Sequence, residues 1–324
     1  MNEDYQPRID LTEVKASLDS IRSEIEKVIV GQADMVDLLL VSILANGHVL
    51  IEGNPGLAKT LTAKILSQTI GAGFSRIQFT PDLMPSDILG TSVFNFQSSE
   101  FEFNKGPIFS SIILIDEINR APAKTQAALF EVMEERQVTI DGKQYKMKEP
   151  FMIVATQNPI DMEGTYRLPE AQMDRFIFKI SVDYPTLQQE ISIIQRHHKD
   201  GDLLKLNNIK PVIKGKTILE HRKVLQEVIV DEKIVTFIAQ IVQATRNSPH
   251  IYVGASPRAS LALLNAGKAH AILKGRDFVN PEDVLRIAPY VLGHRINLTP
   301  EREMEGVSTR KTIELLVQGI EIPR

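Results

Sequence analysis

The sequence predicts an α/β domain with a parallel sheet covered by helices, followed by a smaller all-helical domain. Three observations carry this expectation. Strand-like runs recur at 48–52, 75–79, 111–116, 151–156 and 176–182, separated by segments of helical spacing. Several of these runs are apolar on both faces, as central strands buried under helices must be. From about residue 186 the pattern turns mostly helical. The expected boundaries are therefore 1–185 for the α/β domain and 186–324 for the helical one.

Taken in order, residues 11–30 place Leu18, Ile21, Ile25 and Val28 on one helical face and run into a Val30-Gly31-Gln32 turn. The apolar run His48 to Ile51 then leads into Gly53-Asn54-Pro55-Gly56-Leu57-Ala58-Lys59-Thr60, and Leu61, Ile65 and Leu66 open a helix. Strand, glycine-containing loop, Lys-Thr and helix form the phosphate-cradling arrangement of a P-loop. Loop N–H groups and the helix N-terminus face anionic oxygens. Lys59 would reach the β- and γ-phosphates and the Thr60 hydroxyl would ligate Mg²⁺. Ala58 stands where a second glycine is expected, which is tolerable if its φ stays negative. Gly215-Lys216-Thr217 repeats the GKT letters, but Lys210 holds the place of the first glycine and no clean strand precedes it. It reads as a surface turn.

Two segments exceed a minimal sheet. Residues 85–108 place Val93, Phe94, Phe96, Phe101 and Phe103 around Gln97-Ser98-Ser99, as a hairpin would. Residues 137–149 alternate through Val138 and Ile140, cross Asp141-Gly142, and resume at Tyr145 and Met147, a strong hairpin signal. In the helical part, Ile234, Phe237, Ile238, Ile241 and Val242 keep one face, and Ser256-Pro257 and Asn280-Pro281 read as capped helix starts.

Ile112 to Ile115 form an apolar strand ending in Asp116-Glu117. Beside a P-loop, Asp116 would hold Mg²⁺ directly or through water, and Glu117 would orient and polarise the attacking water. A third strand ends Val154-Ala155-Thr156-Gln157-Asn158-Pro159, so that Asn158 presents an amide to the γ-phosphate or the water. His197-His198 resembles a metal pair only in letters, because adjacent helical residues point about 100° apart.

Composition sets the remaining bounds. A chain of 324 residues, 43% hydrophobic and 24% charged, is ordinary for a globular protein of two domains. A net charge of −4 gives no electrostatic footprint for nucleic acid. The absence of cysteine excludes disulfides and thiolate metal sites and fits a reducing cytoplasm. The polar, partly acidic N-terminus is unlike a secretory signal, and no apolar run is long enough to insert in a membrane.

The motifs GNPGLAKT, LIDEINRAP, ATQNP, LPEAQMDRF and GASPRA, in this order, closely resemble the MoxR-type AAA+ ATPases over nearly the whole chain. The resemblance implies an αβα nucleotide domain with a helical lid, binding ATP and Mg²⁺. It implies a homo-oligomeric ring, expected as a hexamer, with ATP at each subunit interface. It makes Asn158 look like the sensor-1 residue, Arg175 like the arginine finger and Arg258 like sensor 2. Gly31-Gln32 resembles the family's nucleotide-base turn, the two hairpins match its inserts, and Glu163 to Arg167 match a loop near the interface. Physically, Arg175 follows Asp174 just before a strand, where a neighbouring subunit could receive it; an intrachain salt bridge is its alternative. Arg258 is the second residue of a capped helix, where the dipole disfavours a cation unless an anion lies near.

Three functions follow. The first is a Mg-dependent ATPase whose ring remodels or matures a client, with a von Willebrand factor A domain protein as the partner the resemblance suggests. The second is a nucleic-acid motor or magnesium-chelatase-like subunit. Residues 95–105 set Glu100 and Glu102 against Lys105, and 137–148 set Lys143, Lys146 and Lys148 against Asp141, a weak footprint for phosphate tracking. The third is a non-hydrolysing nucleotide sensor, against which Glu117, Asn158 and Arg175 argue.

Overall fold

The architecture is that of a computed structural model, which describes residues 8–159, 166–200 and 209–323. Of the 163–167 loop, Glu163 to Thr165 lie outside the described residues. Helix α1 (Thr12–Glu26) buries Val14, Leu18, Ile21 and Ile25. Gly31, at φ +79°, turns the chain into α2 (Ala33–Leu44). Leu38 to Leu44 of α2 are buried without a break. A helix apolar all round must lie inside, and α2 does, packed on β1 (His48–Glu52) and on helices of the C-terminal part. Ser42, the polar residue in that run, donates to the Leu38 carbonyl at 2.7 Å and so costs little to bury.

Helix α3 (Lys59–Thr69) follows the loop after β1, and β2 (Phe74–Gln78) follows α3. A short α4 (Pro85–Leu89) introduces a hairpin of β3 (Gly90–Asn95) and β4 (Glu100–Lys105). Gly90 and Gly106 close its base, where an added Cβ would stand 2.2 Å from a backbone oxygen at either position. Next come β5 (Ile112–Asp116), a 3₁₀ turn at Ile118–Arg120 and α5 (Ala123–Glu135). A second hairpin, β6 (Gln137–Ile140) with β7 (Lys143–Lys146), turns at Asp141-Gly142, both with positive φ. The hairpins touch: the Phe103 and Tyr145 rings lie 4.5 Å apart, and Ser92 donates to Asp141. Strand β8 (Met152–Gln157), α6 (Glu170–Met173) and β9 (Phe176–Ser181) complete this part.

Five strands form one parallel sheet in the order β2-β5-β8-β1-β9. Their side chains alternate between two cores. Val49, Ile51, Leu114 and Val154 face the core that α1, α2 and α3 cover. Leu50, Ile113, Ile115 and Ile153 face the core of Leu129, Phe130 and Met133 from α5. Each fully buried aliphatic side chain adds roughly 1.5–3 kcal/mol, so the sheet is fixed from both sides. In this order β1 lies between β8 and β9, and a doubly wound sheet gathers ligands at such a switch, beyond the strands' carboxyl ends.

After β9 come α7 (Leu187–Asp200), α8 (Gly215–Glu227), α9 (Glu232–Asn247) and β10 (Ile251–Val253). Helices α10 (Pro257–Leu273) and α11 (Pro281–Leu292) precede β11 (Asn297–Leu298), α12 (Pro300–Met304) and α13 (Thr309–Gln318). Gly215-Lys216-Thr217 is not a surface turn: these residues are the first turn of α8, with Lys214 at the cap. Gly215 packs there, its Cβ position 3.2 Å from Pro150. Ser256 caps α10 by accepting from the Arg258 N–H at 3.2 Å, and Asn280 and Asp283 form a reciprocal capping box on α11.

Candidate functional site: a phosphate-binding cleft

Parallel register brings three strand tips together. Ile51 and Glu52 of β1 pair with Thr156 and Gln157 of β8, and Ile115 of β5 pairs with Ala155. The loop after β1, the acids after β5 and the amide after β8 therefore open into one cleft of about 380 Å³. It is lined by Pro55 to Leu61, Asp116, Glu117, Thr156 and Asn158, together with Arg76 and Gln78 from β2.

The loop is held open by its backbone. Gly53 approaches β9 so closely that a Cβ would meet the Val182 carbonyl at 2.9 Å. Gly56 takes φ +85°, and a Cβ there would point into free space. Ala58 overturns the expectation of negative φ. It caps α3 in the left-handed region at φ 58°, ψ 16°. That conformation costs a non-glycine residue on the order of 1–2 kcal/mol and is held by the Thr62 N–H and hydroxyl, both donating to the Ala58 carbonyl. The N–H groups of Gly56, Leu57, Ala58, Lys59 and Thr60 make no hydrogen bond to other described residues. A row of free amides at a helix N-terminus is a fitting cradle for phosphate oxygens. Lys59, half-buried, donates its Nζ to the Gly53 carbonyl; burial pulls its pKa below the ordinary lysine value against the upward pull of Asp116 and Glu117.

The acids are fixed by Thr156. Its hydroxyl accepts from the Glu117 N–H at 3.1 Å and donates to Asp116 Oδ1 at 3.2 Å. The Thr60 hydroxyl lies 3.4 Å from that same oxygen, so Thr60 and Asp116 converge where a divalent ion fits. Glu117, left-handed at φ 57°, turns its carboxylate toward Gln78 Nε2 at 3.3 Å and Arg120 Nε at 3.2 Å. Arg76 Nε donates to Asp116 Oδ2 at 2.6 Å.

Arg76, Gln78 and Thr156 were missed as site residues in the sequence. A signal existed for the first two: they alternate in a strand-like run, and alternate residues project from one face. Among the residues singled out, Arg175 and Arg258 do not line the cleft. Both bind the Glu134 carboxylate, Arg175 Nη1 at 2.6 Å and Arg258 Nη2 at 2.9 Å. Glu134 is the anion that offsets the awkward position of Arg258 in the first turn of α10, and the salt bridge weighed for Arg175 exists. Gly31 and Gln32 also lie off the cleft lining, on its flank: Gln32 Nε2 reaches the Asp183 carbonyl at 3.4 Å, and the next residue, Tyr184, accepts from Asn54 Nδ2 at 2.9 Å. His197 and His198 are exposed, and no cluster of three or more His, Cys, Asp or Glu placed to hold a metal occurs among the described residues.

Comparison with known proteins agrees with this geometry. The family described as ATPase family associated with various cellular activities (AAA) matches residues 48–178, and the AAA lid domain matches 243–315. The uncharacterized YeaC protein of Bacillus subtilis is 43% identical over 92% of this chain and 92% of its own length. The chaperone MoxR1 of Mycobacterium tuberculosis is 41% identical over 93% of this chain and 81% of its own. A crystal structure from Cytophaga hutchinsonii, described as a candidate ATPase, superposes with a TM-score of 0.89 at 40% identity, covering 97% of both chains. The chain belongs to the MoxR-type AAA+ ATPases.

Proposed function

We propose that the protein hydrolyses ATP with Mg²⁺, works as a homo-oligomeric ring, and uses turnover to remodel or mature a partner protein. The observation that carries this reading is the convergence of Lys59, Thr60, Asp116, Glu117 and Asn158 on one cleft from three adjacent strand tips. Free loop amides and Lys59 hold the β- and γ-phosphates. Thr60 and Asp116 would hold Mg²⁺, which would supply positive charge against the phosphates. Glu117 accepts the proton of the attacking water as its oxygen bonds to the γ-phosphorus. The bond to the β–γ bridging oxygen breaks, giving ADP and phosphate. Asn158 orients the γ-phosphate or that water.

Arg175 and Arg258 lie on Glu134, off the cleft of their own chain. That placement suits cations offered to a neighbour's ATP, and a ring of six gives each subunit such a neighbour. An arginine finger typically contributes about 10³–10⁵ in rate. A protein client is favoured over nucleic acid because the β3–β4 hairpin exposes Phe94, Phe96 and Phe101 beside Glu100 and Glu102, not a cationic track. The chaperone name of the Mycobacterium tuberculosis relative supports the same reading. A von Willebrand factor A domain partner and a reducing cytoplasm belong to this proposal; no described helix is long and apolar enough to cross a membrane.

The test is phosphate release from Mg-ATP by the parent and Glu117→Gln. The variant should bind ATP like the parent and turn over roughly 10²–10⁴-fold more slowly, having lost the proton acceptor. A Glu117→Gln ring held in ATP then serves to capture the client. Equal turnover by the two proteins would reject the assignment.

A further inference from the structure

We propose that Arg76 is a built-in counter-cation of Asp116 that competes there with the divalent ion of the nucleotide. The inference rests on the ATPase reading of the cleft and concerns a residue that reading leaves without a role.

Strand β2 is the edge of the sheet, paired with β5 so that Arg76 lies opposite Leu114 and Gln78 opposite Asp116. Residues two apart on a strand share a face, so Arg76 and Gln78 reach over the end of β5 and touch consecutive acids. Gln78 meets Glu117, and Arg76 meets Asp116. The Asp116 carboxylate is almost wholly buried, its side chain 9% exposed. One of its oxygens is engaged by Thr60 and Thr156, and the other by Arg76. An ionised carboxylate at that depth needs a counter-charge, and the guanidinium supplies it.

The arm that supplies the charge is 55% exposed, so it can leave without a large desolvation change. A divalent ion ligated by Asp116 would neutralise the same carboxylate and repel the guanidinium at 2.6 Å from its oxygen. Arg76 and Mg²⁺ are then alternatives at one site, coupled with unfavourable sign, and the coupling is reciprocal. Phosphate without metal meets the opposite situation, since Arg76 offsets the charge of Asp116 and adds a cation to the one at Lys59.

The two conditions therefore move in opposite directions when Arg76 is removed. Affinity for a fluorescent ATP analogue should be measured for the parent, Arg76→Met and Arg76→Lys, in EDTA and across a Mg²⁺ titration. Arg76→Met should bind about threefold to tenfold more weakly in EDTA, because Asp116 then repels the phosphates uncompensated. At saturating Mg²⁺ it should bind about threefold to tenfold more tightly, with half-saturation at lower Mg²⁺. Arg76→Lys, retaining the charge, should stay within about twofold of the parent in EDTA. A change of the same sign in both conditions, no change in either, or Arg76→Lys behaving like Arg76→Met would overturn the proposal. Lys59→Ala, run alongside, separates this from failure of the cleft reading itself. Loss of affinity there in both conditions upholds the nucleotide site whatever Arg76 does, and parent-like binding would reject it.

Discussion

Arg175 and Arg258 share one carboxylate, each bound to a different oxygen of Glu134 at 2.6 and 2.9 Å. They come from separate parts of the chain, Arg175 at the entrance to β9 and Arg258 in the first turn of α10. Asp174 joins those parts, since it accepts from Arg295 Nε at 2.6 Å and from Ser256 Oγ, the α10 cap, at 2.9 Å. Arg295 is buried and also donates to the carbonyls of Asp174, Phe176, Ile177 and Val291. The two cations are therefore one preformed unit, carried on a rigid joint between the sheet and the helical part.

If that unit serves a neighbour's ATP, Arg175→Ala should retain ATP binding, because its own cleft keeps Lys59, Thr60 and Asp116. It should lose about 10³-fold or more in hydrolysis. Mixing it with Lys59→Ala subunits should restore part of the activity, since an intact cleft then meets an intact arginine. An exchange-competent mixture as inactive as either variant alone would assign Arg175 to its intrachain bridge with Glu134.

On the proposed reading, Lys59→Ala should weaken ATP binding by roughly 100-fold or more, because it removes the cation the loop offers to the phosphates. Calorimetry checks this directly. The substitution should leave the melting temperature nearly unchanged, as Lys59 makes its hydrogen bond to a loop carbonyl outside both cores.

Ala58→Gly should leave ATP affinity intact and raise stability by about 0.5–1 kcal/mol, since glycine takes φ 58° without the Cβ clash while gaining some freedom in the unfolded chain. Ala58→Val should lower stability by more than that gain. Urea unfolding of the three proteins ranks them. A glycine variant less stable than the parent would mean that the left-handed cap is not strained.

Acid should destabilise the fold through two buried histidines. His48 donates from Nε2 to the Met133 carbonyl and accepts at Nδ1 from the Ile153 N–H, so only the neutral ring fits. Burial, with Arg136 adding to it, pushes its pKa down to about 3. Burial and Arg295 hold His294 well below the usual value as well. With the folded pKa depressed, the unfolded chain takes up protons below about pH 6.5 while the folded ring stays neutral. Stability is therefore lost as pH falls from 6.5 toward the folded value, by up to about 1.4 kcal/mol per pH unit for each ring. Urea titrations at pH 7.5, 6 and 5 measure the slope; a flat profile would contradict both ring assignments.

Most of the cleft was legible because its parts are local. Glycine and Lys-Thr after an apolar strand, two acids at the end of another, and Asn-Pro after a third each carry their chemistry within a few residues. The Asp141-Gly142 turn announced its hairpin in the same way, and Ser256 and Asn280 announced their helices. Local letters also misled. They gave no hint that Ala58 would be left-handed, because that φ is set by where β1 and α3 must meet. Gly215-Lys216-Thr217 opens a helix whose first residue packs on Pro150, a contact invisible along the chain.

By itself the sequence determined the strand–helix alternation, the later helical part and the loop, acids and amide that follow three of its strands, since periodicity and short motifs are properties of neighbouring residues. Only the tertiary structure decided the strand order, which brings three tips to one cleft, and the pairings made across it. Arg76 on Asp116, Gln78 and Arg120 on Glu117, and Arg175 with Arg258 on Glu134 are contacts between charged side chains that no periodicity encodes. Sheet register and the packing of α10 against α2 place those partners within reach, and a charge at 3 Å matters far more than its spacing in the chain.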